Sequence, residues 1–409
     1  MSERARFAVW RVATSSAPLS ERARLALQNV TTPSVTYLDH AASTPMRPEA
    51  VAAMMPYLCD VYANASGAHR FARQARRAVD ESRDAVAEVL GCAPNEVVFT
   101  GGGTESDNMA VAGAVAAQGG AAVCSAVEHP GVLAVVEHLG GRVVGVDRTG
   151  RVDLDALAHV LSELADVAVV SVMAVNNEVG TINDLAAVAA VVRRHAPGAL
   201  LHTDAVQAAC WLDLRAVTPH VDLLSLSAHK FGGPKGGGVL VERGGPRVAP
   251  LIIGGGQERE RRSGTHNTAG IVAAATALRL TDATRADETA RLAPLRDDLV
   301  DGLRADLDGV IETVPRSDKV AGSAHVCIEG IETESLLFLL DERGVCASAA
   351  SACASGAMEP SHVLAAMGID RGTALVALRL SLGTTTSSDD VAAGRRAITD
   401  SVRRLRRAA

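Results

Sequence analysis

The sequence predicts an α/β fold, with a mostly parallel seven-stranded sheet in a large domain and a smaller α+β domain near the C-terminus. The chain has 409 residues, more than one ordinary hydrophobic core accommodates. Between residues 97 and 241, short apolar runs alternate with alanine-rich helical stretches. The runs are continuously hydrophobic, which is typical of parallel strands buried on both faces. This alternation predicts the α/β architecture.

Seven apolar runs are the predicted strands of the sheet. They are residues 97–100, 121–124, 142–146, 167–175, 200–203, 223–226 and 239–241. Nearly every candidate chemical residue follows the end of one of these runs. Open α/β sheets bind ligands beyond the carboxyl ends of their strands. We therefore expect these residues to converge on one crevice.

The C-terminal part of the chain has a different pattern. Strand candidates lie at residues 325–328 and 377–381, and helix candidates at residues 281–308, 333–343, 361–367 and 389–406. We predict an N-terminal extension of residues 1–35, a large α/β domain of residues 36–285 and a small α+β domain of residues 286–409. The first residues of the large domain are expected to pack on the small domain.

Composition and charge exclude several classes of protein. Hydrophobic residues make up 48% and charged residues 21% of the chain, which excludes wholesale disorder. The formal net charge of −7 offers no basic face for direct binding of nucleic acid. No uninterrupted apolar stretch reaches the roughly 18 to 20 residues that cross a bilayer, so no membrane association is expected.

The cysteine pattern predicts a cytoplasmic protein. Seven cysteines, an odd number, are scattered without paired spacing, and no signal peptide is apparent. This pattern is typical of free thiols in a reducing compartment. Residues 1–35 contain several Arg and Ser, but also Glu3 and Glu21 and no cleavage pattern. We interpret them as a loosely held extension, with a transit peptide as the alternative.

Lys230 is the first candidate for chemistry. It lies in a glycine-flanked segment, residues 227–235, directly after a predicted strand. Most lysines are surface residues, but this setting presents one amine at the mouth of a sheet and favours a catalytic role. The other lysines are Lys235 and Lys319. An amine in this position is able to form a Schiff base.

A glycine-rich turn follows the first predicted strand of the sheet. Residues 100–108 combine the end of a strand, three glycines and the start of a helix, including Gly103 and Thr104. Free amides and the helix dipole at such a turn favour a bound phosphate. An ordinary tight turn is an equally good interpretation of this motif alone.

Two more strand ends carry polar candidates. Asp204 follows a buried strand and Gln207 lies one helical turn later. An ionised carboxylate there would keep a cofactor's pyridine nitrogen protonated, although an isolated Asp in this position is more often a helix cap. His129 could stack on a planar ring and carry protons. The histidines show no metal-ligand spacing, so no metal site is predicted.

Cys353 is the candidate nucleophile. Its neighbours in residues 348–356 are Ser, Ala and Gly, a composition that favours an exposed loop over a packed core. A nucleophilic thiolate needs such exposure, whereas a free cysteine is more commonly a small buried hydrophobe. Cys346 is the internal rival, but it follows Gly344 and Val345 and is expected to start a strand.

Taken together, these motifs resemble the cysteine desulfurases, fold-type I enzymes that depend on pyridoxal 5'-phosphate. The resemblance extends from residues 37–42 to residues 381–383, in family order and with compatible spacing. Residues 351–353, followed by residues 358–361, resemble the subclass with a long catalytic loop. Two positions depart from the family pattern: residues 347–350 read Ala-Ser-Ala-Ala, and Thr384 replaces an expected arginine.

The resemblance implies a role for each candidate. Lys230 forms the Schiff base with the cofactor, Asp204 pairs with its ring nitrogen, and His129 stacks on the ring and moves protons. Four residues match phosphate-binding positions: Gly103, Thr104, Ser227 and His229. Gln207 and Asn177 contact the ring oxygen, Asn177 also lies at the substrate, and Arg379 grips the substrate carboxylate. Thr265 matches a residue that binds the partner subunit's phosphate, which implies a homodimer.

The implied reaction converts L-cysteine to L-alanine and places the sulfur on Cys353 as a persulfide, from which an acceptor protein takes it. The acceptor could serve iron–sulfur cluster assembly, tRNA thiolation, cofactor synthesis or DNA modification. Two alternatives stay open. One is selenocysteine lyase or another β-elimination on the same cofactor, and the other is a non-catalytic scaffold that keeps the fold for partner binding.

Overall fold

The structure, a computed structural model, describes residues 35–349 and 360–408. The strands, in chain order, are β1 (Thr36–Tyr37), β2 (Val97–Thr100), β3 (Ala121–Ser125), β4 (Arg142–Val144), β5 (Val167–Ser171), β6 (Leu200–Asp204), β7 (Leu223–Ser227), β8 (Gly238–Glu242), β9 (Val310–Glu312), β10 (Ser323–Ile328), β11 (Val345–Cys346) and β12 (Ala377–Ser381).

The α-helices, in the same order, are α1 (Pro48–Cys59), α2 (Arg70–Leu90), α3 (Gly103–Gln118), α4 (Pro130–His138), α5 (Leu154–Glu163), α6 (Leu185–His195), α7 (Leu214–Val217), α8 (Thr268–Asp306), α9 (Thr333–Asp341), α10 (His362–Ala366), α11 (Arg371–Ala374) and α12 (Ser388–Ala408). Among the residues described, no helix combines the length and the apolar character that crossing a bilayer requires.

The central sheet has seven strands in the order β2-β8-β7-β6-β5-β3-β4. β8 runs antiparallel to both of its neighbours, and all other pairs are parallel. The predicted α/β class with a mostly parallel seven-stranded sheet is confirmed. Two predicted strands were too long, since β4 ends at Val144 and β5 at Ser171. After Ser171 the chain still runs beside β6, with backbone hydrogen bonds from the Val172 N–H to His202 and from the Ala174 N–H to Asp204.

Both faces of the sheet are buried, as the continuous apolar runs predict. Side chains that are adjacent along a strand point to opposite faces. Accordingly Val169 and Leu200 belong to one buried cluster, while their neighbours Val170 and Leu201 belong to another. α3 and α4 pack in the first cluster, and α2, α5, α6 and the first half of α8 pack in the second. The sheet therefore forms the middle layer of three.

A second sheet lies in the C-terminal part of the chain. β9, β10 and β12 form an antiparallel sheet in the order β12-β10-β9. Its core includes residues of α8, α9 and α12, and also Leu38 from the beginning of the described chain. β1 pairs in parallel with β11. The first described residues therefore pack against C-terminal elements and place residues 39–42 between the two sheets.

The long helix α8 joins the two sheets. The sequence predicted a helix at residues 281–308, but the structure has one continuous helix from Thr268 to Asp306. The proposed domain boundary between residues 285 and 286 falls inside it, so the division into domains stays a prediction. β9 was not predicted from the sequence. It has only three residues, none of them buried, and so lacks an apolar pattern.

Candidate active site

Lys230 lines a crevice beyond the carboxyl end of the central sheet, together with Asn177, Gln207 and Arg379. A short turn, Ala228–Lys230, follows β7 and presents the amine. Its Nζ donates hydrogen bonds to the carbonyl oxygens of Ala41, at 2.6 Å, and Ala42, at 3.0 Å. Burial, followed by the charge of Arg379, lowers the pKa of Lys230 to about 8. The neutral, nucleophilic amine is therefore more accessible near neutral pH than in an ordinary lysine.

Gln207 shares a hydrogen-bond acceptor with Lys230. Its Nε2 donates to the carbonyl oxygen of Ala41 at 2.8 Å. The residues that carry these two side chains follow different strands, β6 and β7, and the segment that carries Ala41 follows β1. The Ala41 carbonyl, near the beginning of the described chain, therefore holds Lys230 and Gln207 together in the crevice.

Asp204 is the last residue of β6 and is only 5% exposed. Its Oδ1 accepts a hydrogen bond from the backbone N–H of Val206 at 2.8 Å. Burial raises the pKa of Asp204, while the Val206 N–H, His129 and Lys230 oppose that shift. A buried carboxylate is stabilised strongly by an opposite charge, so this side chain is suited to a protonated ring nitrogen.

His129 caps the N-terminus of α4. Its Nδ1 accepts a hydrogen bond from the backbone N–H of Gly131 at 3.0 Å. Because a backbone N–H can only donate, the neutral imidazole carries its proton on Nε2. His129 is exposed, yet desolvation by the protein packed around it lowers the pKa of the ring, Lys230 and His362 lower it further, and Asp204 raises it. A neutral, Nε2-protonated ring results.

The glycine turn after β2 forms a cradle. A side chain at Gly103 would place its Cβ 2.9 Å from Val206 Cγ2 and 3.3 Å from Ser227 Cβ, so glycine is required at the start of α3. Ser227 is buried at 4% exposure, and Thr104 is exposed. The backbone amides in the first turn of this 16-residue helix lack intrahelical partners. They are available to an anion such as a phosphate.

His229 lies two residues after Ser227, in the turn that presents Lys230. Its Nδ1 is 3.2 Å from Ser43 Oγ. Burial, with the charges of Lys230 and Lys235, lowers the pKa of His229 to about 4. The ring is therefore neutral at physiological pH and acts as a hydrogen-bonding group in this position.

Arg379 enters the crevice from the second sheet. Its Nη2 forms an ion pair with Asp39 Oδ1 at 2.7 Å, and its Nη1 donates to the carbonyl oxygen of Asn177 at 3.0 Å. The residue is 6% exposed, and its Nε has no hydrogen-bond partner among the described residues. The guanidinium is thus held from two sides and keeps hydrogen-bonding capacity for an anionic ligand.

Two predicted site residues are not part of this cluster. Cys353 lies outside the described residues, so its role stays a prediction. Thr265 is described and is exposed, in the segment that leads into α8. Its predicted contact with a partner subunit is untested in a single chain. The rival thiol, Cys346, lies in β11, and burial is the main cause of a raised pKa for its thiol.

Both ends of the segment that contains Cys353 border the crevice. Before it, Ser348 pairs with Arg379 through backbone hydrogen bonds of 2.7 and 3.2 Å. After it, the Ser361 hydroxyl donates to Glu178, and His362 Nε2 lies 3.0 Å from the carbonyl oxygen of Glu128. Glu178 directly follows Asn177, and Glu128 directly precedes His129. The residues after the segment are therefore held next to two predicted site residues.

Two acidic residues near the crevice, Asp39 and Asp107, were not predicted as site residues, whereas Glu128 was among the candidates that follow a strand end. Glu128 is fully buried, and burial raises its pKa to about 8. Among the described residues, Asp107, His129 and Asp204 form a group whose possible metal-ligand atoms all lie within 4.8 Å of one another. The prediction that the protein has no metal site therefore stays a prediction. The sequence signal for Asp107 was its place in the glycine-rich motif of residues 100–108.

Comparison with known proteins agrees with this geometry. The family described as class-V aminotransferases matches residues 36–393. The chain belongs to this family. An IscS-like cysteine desulfurase of Mycobacterium tuberculosis is 43% identical over 388 residues, which cover 92% of this chain and 98% of the relative. The predicted membership of the cysteine desulfurases, and with it an enzyme of this type, is confirmed.

Solved structures of the family have the same fold. A structure described as a NifS-like protein superimposes with a TM-score of 0.82 at 33% identity, covering 90% of this chain and 98% of the other. A second, described as SspA in complex with cysteine, has a TM-score of 0.72 at 29% identity and covers 85% of this chain and 98% of the other. This class-V aminotransferase therefore matches its relatives along nearly their whole length.

Proposed function

We propose that this class-V aminotransferase is a pyridoxal 5'-phosphate-dependent cysteine desulfurase that converts L-cysteine to L-alanine and transfers the sulfur to Cys353. One observation carries the proposal. The amine of Lys230, the carboxyl of Asp204 and the guanidinium of Arg379 occupy one crevice, bordered by both ends of the segment that contains Cys353. Relatives that cover almost the whole chain have names that specify this activity.

The residues of the crevice fit the cofactor. The cradle at Gly103 and Ser227 suits its phosphate, Asp204 suits the protonated ring nitrogen, and Lys230 suits the aldehyde. His129 would lie against the ring, with Gln207 and Asn177 at the ring oxygen. When bound, pyridoxal phosphate supplies an electron sink that makes bonds at the substrate's α-carbon labile.

Arg379 binds the substrate carboxylate in this proposal. A planar guanidinium forms paired hydrogen bonds with a carboxylate. Asp39 and the carbonyl of Asn177 hold the guanidinium in place. Since Arg379 is nearly buried, little water competes for this interaction.

Lys230 moves the proton of the substrate's α-carbon. The pKa of about 8 makes its Nζ an efficient base near neutral pH. The carbonyl oxygens of Ala41 and Ala42 orient Nζ. These two hydrogen bonds would keep the free amine of Lys230 at the cofactor site.

Cys353 accepts the sulfur. Its thiolate attacks the substrate sulfur, so that an S–S bond forms while the substrate Cβ–S bond breaks. The bonding electrons pass to the carbon skeleton, which takes up a proton and leaves as L-alanine. No outside oxidant is required, because the carbon is reduced while the two sulfurs become a persulfide. His129 Nε2 is the group suited to carry protons between these thiols.

The direct test is product analysis. Purified holoenzyme incubated with L-cysteine and a thiol reductant should release L-alanine and sulfide in equal amounts. Sulfide accompanied by pyruvate and ammonia would identify a β-elimination and refute the desulfurase proposal. A preparation that binds the cofactor but turns over neither L-cysteine nor L-selenocysteine would support the scaffold alternative.

We further propose a homodimer that works in the cytoplasm and passes its sulfur to an acceptor protein. The segment that leads to the exposed Thr265 also exposes Leu251, Ile252 and Ile253, the last at 86%. A cluster of exposed apolar side chains is typical of an interface. Light scattering should report a dimer, and Ile253→Asp should produce monomers with weakened cofactor binding if Thr265 completes the partner's phosphate site.

A further inference from the structure

Asp107 is a buried acidic residue that the proposed mechanism does not use. It lies in α3, 1% exposed, and its Oδ1 has no hydrogen-bond partner among the described residues. A buried, ionised carboxylate without a cation or a set of donors is strongly disfavoured. The surroundings of Asp107 therefore decide whether it carries a charge.

His202 is the nearest group that could supply a positive charge. Its Nε2 lies 3.7 Å from Asp107 Oδ1, which is too far for a hydrogen bond. Both ring nitrogens already have partners, since Nδ1 is 2.8 Å from Ser171 Oγ and Nε2 is 2.9 Å from Ser225 Oγ. Complete burial lowers the pKa of His202 to about 3. His202 is therefore neutral and does not compensate a charge on Asp107.

The other groups that face Asp107 are mostly acidic. Carboxylate oxygens of Asp107 and Asp204 lie within 4.8 Å of each other and of a His129 ring nitrogen. Glu128, also buried, adds a third carboxyl group nearby. Two buried carboxyl groups at this separation do not both ionise, and they titrate as a pair. The pair formed by Asp107 and Asp204 therefore holds one proton.

The proton belongs on Asp107. Asp204 accepts the Val206 N–H and faces Lys230, and both interactions favour its ionised form. Among the described residues, the hydroxyl of Ser225 is the group found to favour the ionised form of Asp107. Burial and the neighbouring Asp204 raise the pKa of Asp107 well above its usual value.

We propose that Asp107 is a positioning residue, held as a neutral carboxylic acid behind Asp204. In this state Asp204 keeps its negative charge and can hold the cofactor's ring nitrogen protonated. An ionised Asp107 would force the proton onto Asp204 and remove that interaction. The protonation state of Asp107 is a property of the protein itself. Only its consequence, that Asp204 keeps the cofactor's ring nitrogen protonated, rests on the proposed function.

The test is infrared spectroscopy of holoenzyme labelled with 13C-aspartate at neutral pH. A protonated carboxyl group has a carbonyl band that ionised aspartates lack, and the label separates it from the buried Glu128. We expect one such band in the wild-type protein and its loss in Asp107→Asn. Absence of the band from the wild-type protein would overturn the proposal, even if no variant folds. Loss of the band in Asp204→Asn but not in Asp107→Asn would place the proton on Asp204 and overturn it as well.

Cofactor affinity provides the second readout. A protonated Asp107 has an O–H group that can donate toward the Asp204 carboxylate, whose oxygen lies within 4.8 Å. Asp107→Ala removes this donor and should weaken cofactor binding about tenfold. Asp107→Asn should recover most of this loss, because an amide donates a hydrogen bond without adding charge. Equal losses in the two variants would contradict a neutral Asp107. Stoichiometric zinc in the purified holoenzyme that disappears in Asp107→Asn would also contradict it, since a metal requires both carboxylates ionised.

Neither readout depends on turnover. If the holoenzyme has the aspartic acid band but does not produce alanine from L-cysteine, the proposed function fails and the assignment of Asp107 stands. If alanine forms but the band is missing, the assignment of Asp107 fails and the proposed function stands.

Discussion

The ion pair between Arg379 Nη2 and Asp39 Oδ1, 2.7 Å apart, links the second sheet to the segment that positions Lys230. Arg379 lies in β12, and Asp39 pairs through its backbone with Ser381 of the same strand. Two residues later, the carbonyl of Ala41 accepts a hydrogen bond from Lys230. Residues 39–41 therefore position both Arg379, which is assigned to the substrate carboxylate, and Lys230, which is assigned to the cofactor.

Replacing Arg379 should weaken substrate binding. Arg379→Lys keeps the charge but loses the planar pair of donors, so we expect KM for L-cysteine to rise about 10- to 100-fold, the effect of one or two charge-assisted hydrogen bonds. Asp39→Asn leaves Arg379 in place without its counter-charge and should cause a smaller increase in KM for L-cysteine. Steady-state kinetics on both variants measure this. An unchanged KM in Arg379→Lys would remove Arg379 from the substrate site.

Cofactor attachment should depend on the pKa of Lys230. Only the neutral amine adds to an aldehyde, so the rate of covalent attachment to the apoenzyme should rise about tenfold per pH unit below pH 8 and level off above about 8. Stopped-flow absorbance measures this rate. Lys235→Ala is the matched control, since Lys235 is exposed, and it should give the same profile. A profile that still rises up to pH 10 would contradict the lowered pKa.

His129 has a structural and a chemical role that one substitution can separate. His129→Asn retains a side chain that accepts the Gly131 N–H, and Asn is a preferred N-cap. The unfolding free energy of His129→Asn should stay within about 1 kcal/mol of the wild type. His129→Ala should be less stable, because it also loses the helix cap. Without the imidazole, kcat should fall roughly 10²- to 10⁴-fold in both variants. A fully active His129→Asn enzyme would show that no proton passes through this residue.

Glu258 stabilises the strained segment that precedes Thr265. Glu258, Arg259 and Glu260 all have left-handed backbone conformations, with φ of 49°, 57° and 67°. The buried Glu258 carboxylate accepts two hydrogen bonds from Arg83, at 2.6 and 2.7 Å, and one from the Phe99 N–H at 2.9 Å. Glu258→Gln leaves Arg83 buried without its counter-charge. We expect a loss of about 3 to 5 kcal/mol.

The pH dependence of that loss has a definite sign. Burial alone would raise the pKa of Glu258, but hydrogen bonds from His266 and Arg83 lower it to about 2. A carboxyl group with a lowered pKa contributes stability above its unfolded-state pKa, and this contribution disappears as the pH falls through its folded-state value. The difference in Tm between wild type and Glu258→Gln should therefore be constant above about pH 4.5 and narrow below it. Glu260→Gln, an exposed control, should leave Tm unchanged.

The sequence predicted what depends on local pattern. Continuous apolar runs indicated the seven strands, and their ends indicated the crevice where Lys230 and Asp204 meet. Contacts between distant parts of the chain gave no such signal. Asp39 and Arg379 are 340 residues apart, and neither has a local pattern that predicts the pair. The first half of α8 is apolar and buried and the second half is charged, so only the second half was recognised as part of a helix.

The acidic group behind the cofactor site was missed for a similar reason. Asp107 is one of several polar residues at the start of α3, and its sequence does not show which side of the helix is buried. Only the packing of α3 against β6 and β7 brings it beside Asp204 and Ser225. Burial then changes the protonation of Asp107, which no sequence motif reports.

The most direct measurement is the location of the transferred sulfur. Wild-type enzyme treated with L-cysteine, alkylated without reduction and digested should give a persulfide adduct on the peptide that contains Cys353. Cys346→Ala should give the same adduct, because Cys346 lies in β11 with a raised thiol pKa. Cys353→Ala should give no persulfide and little alanine. A persulfide on another cysteine, or full alanine production by Cys353→Ala, would contradict the assignment of Cys353 as the sulfur acceptor.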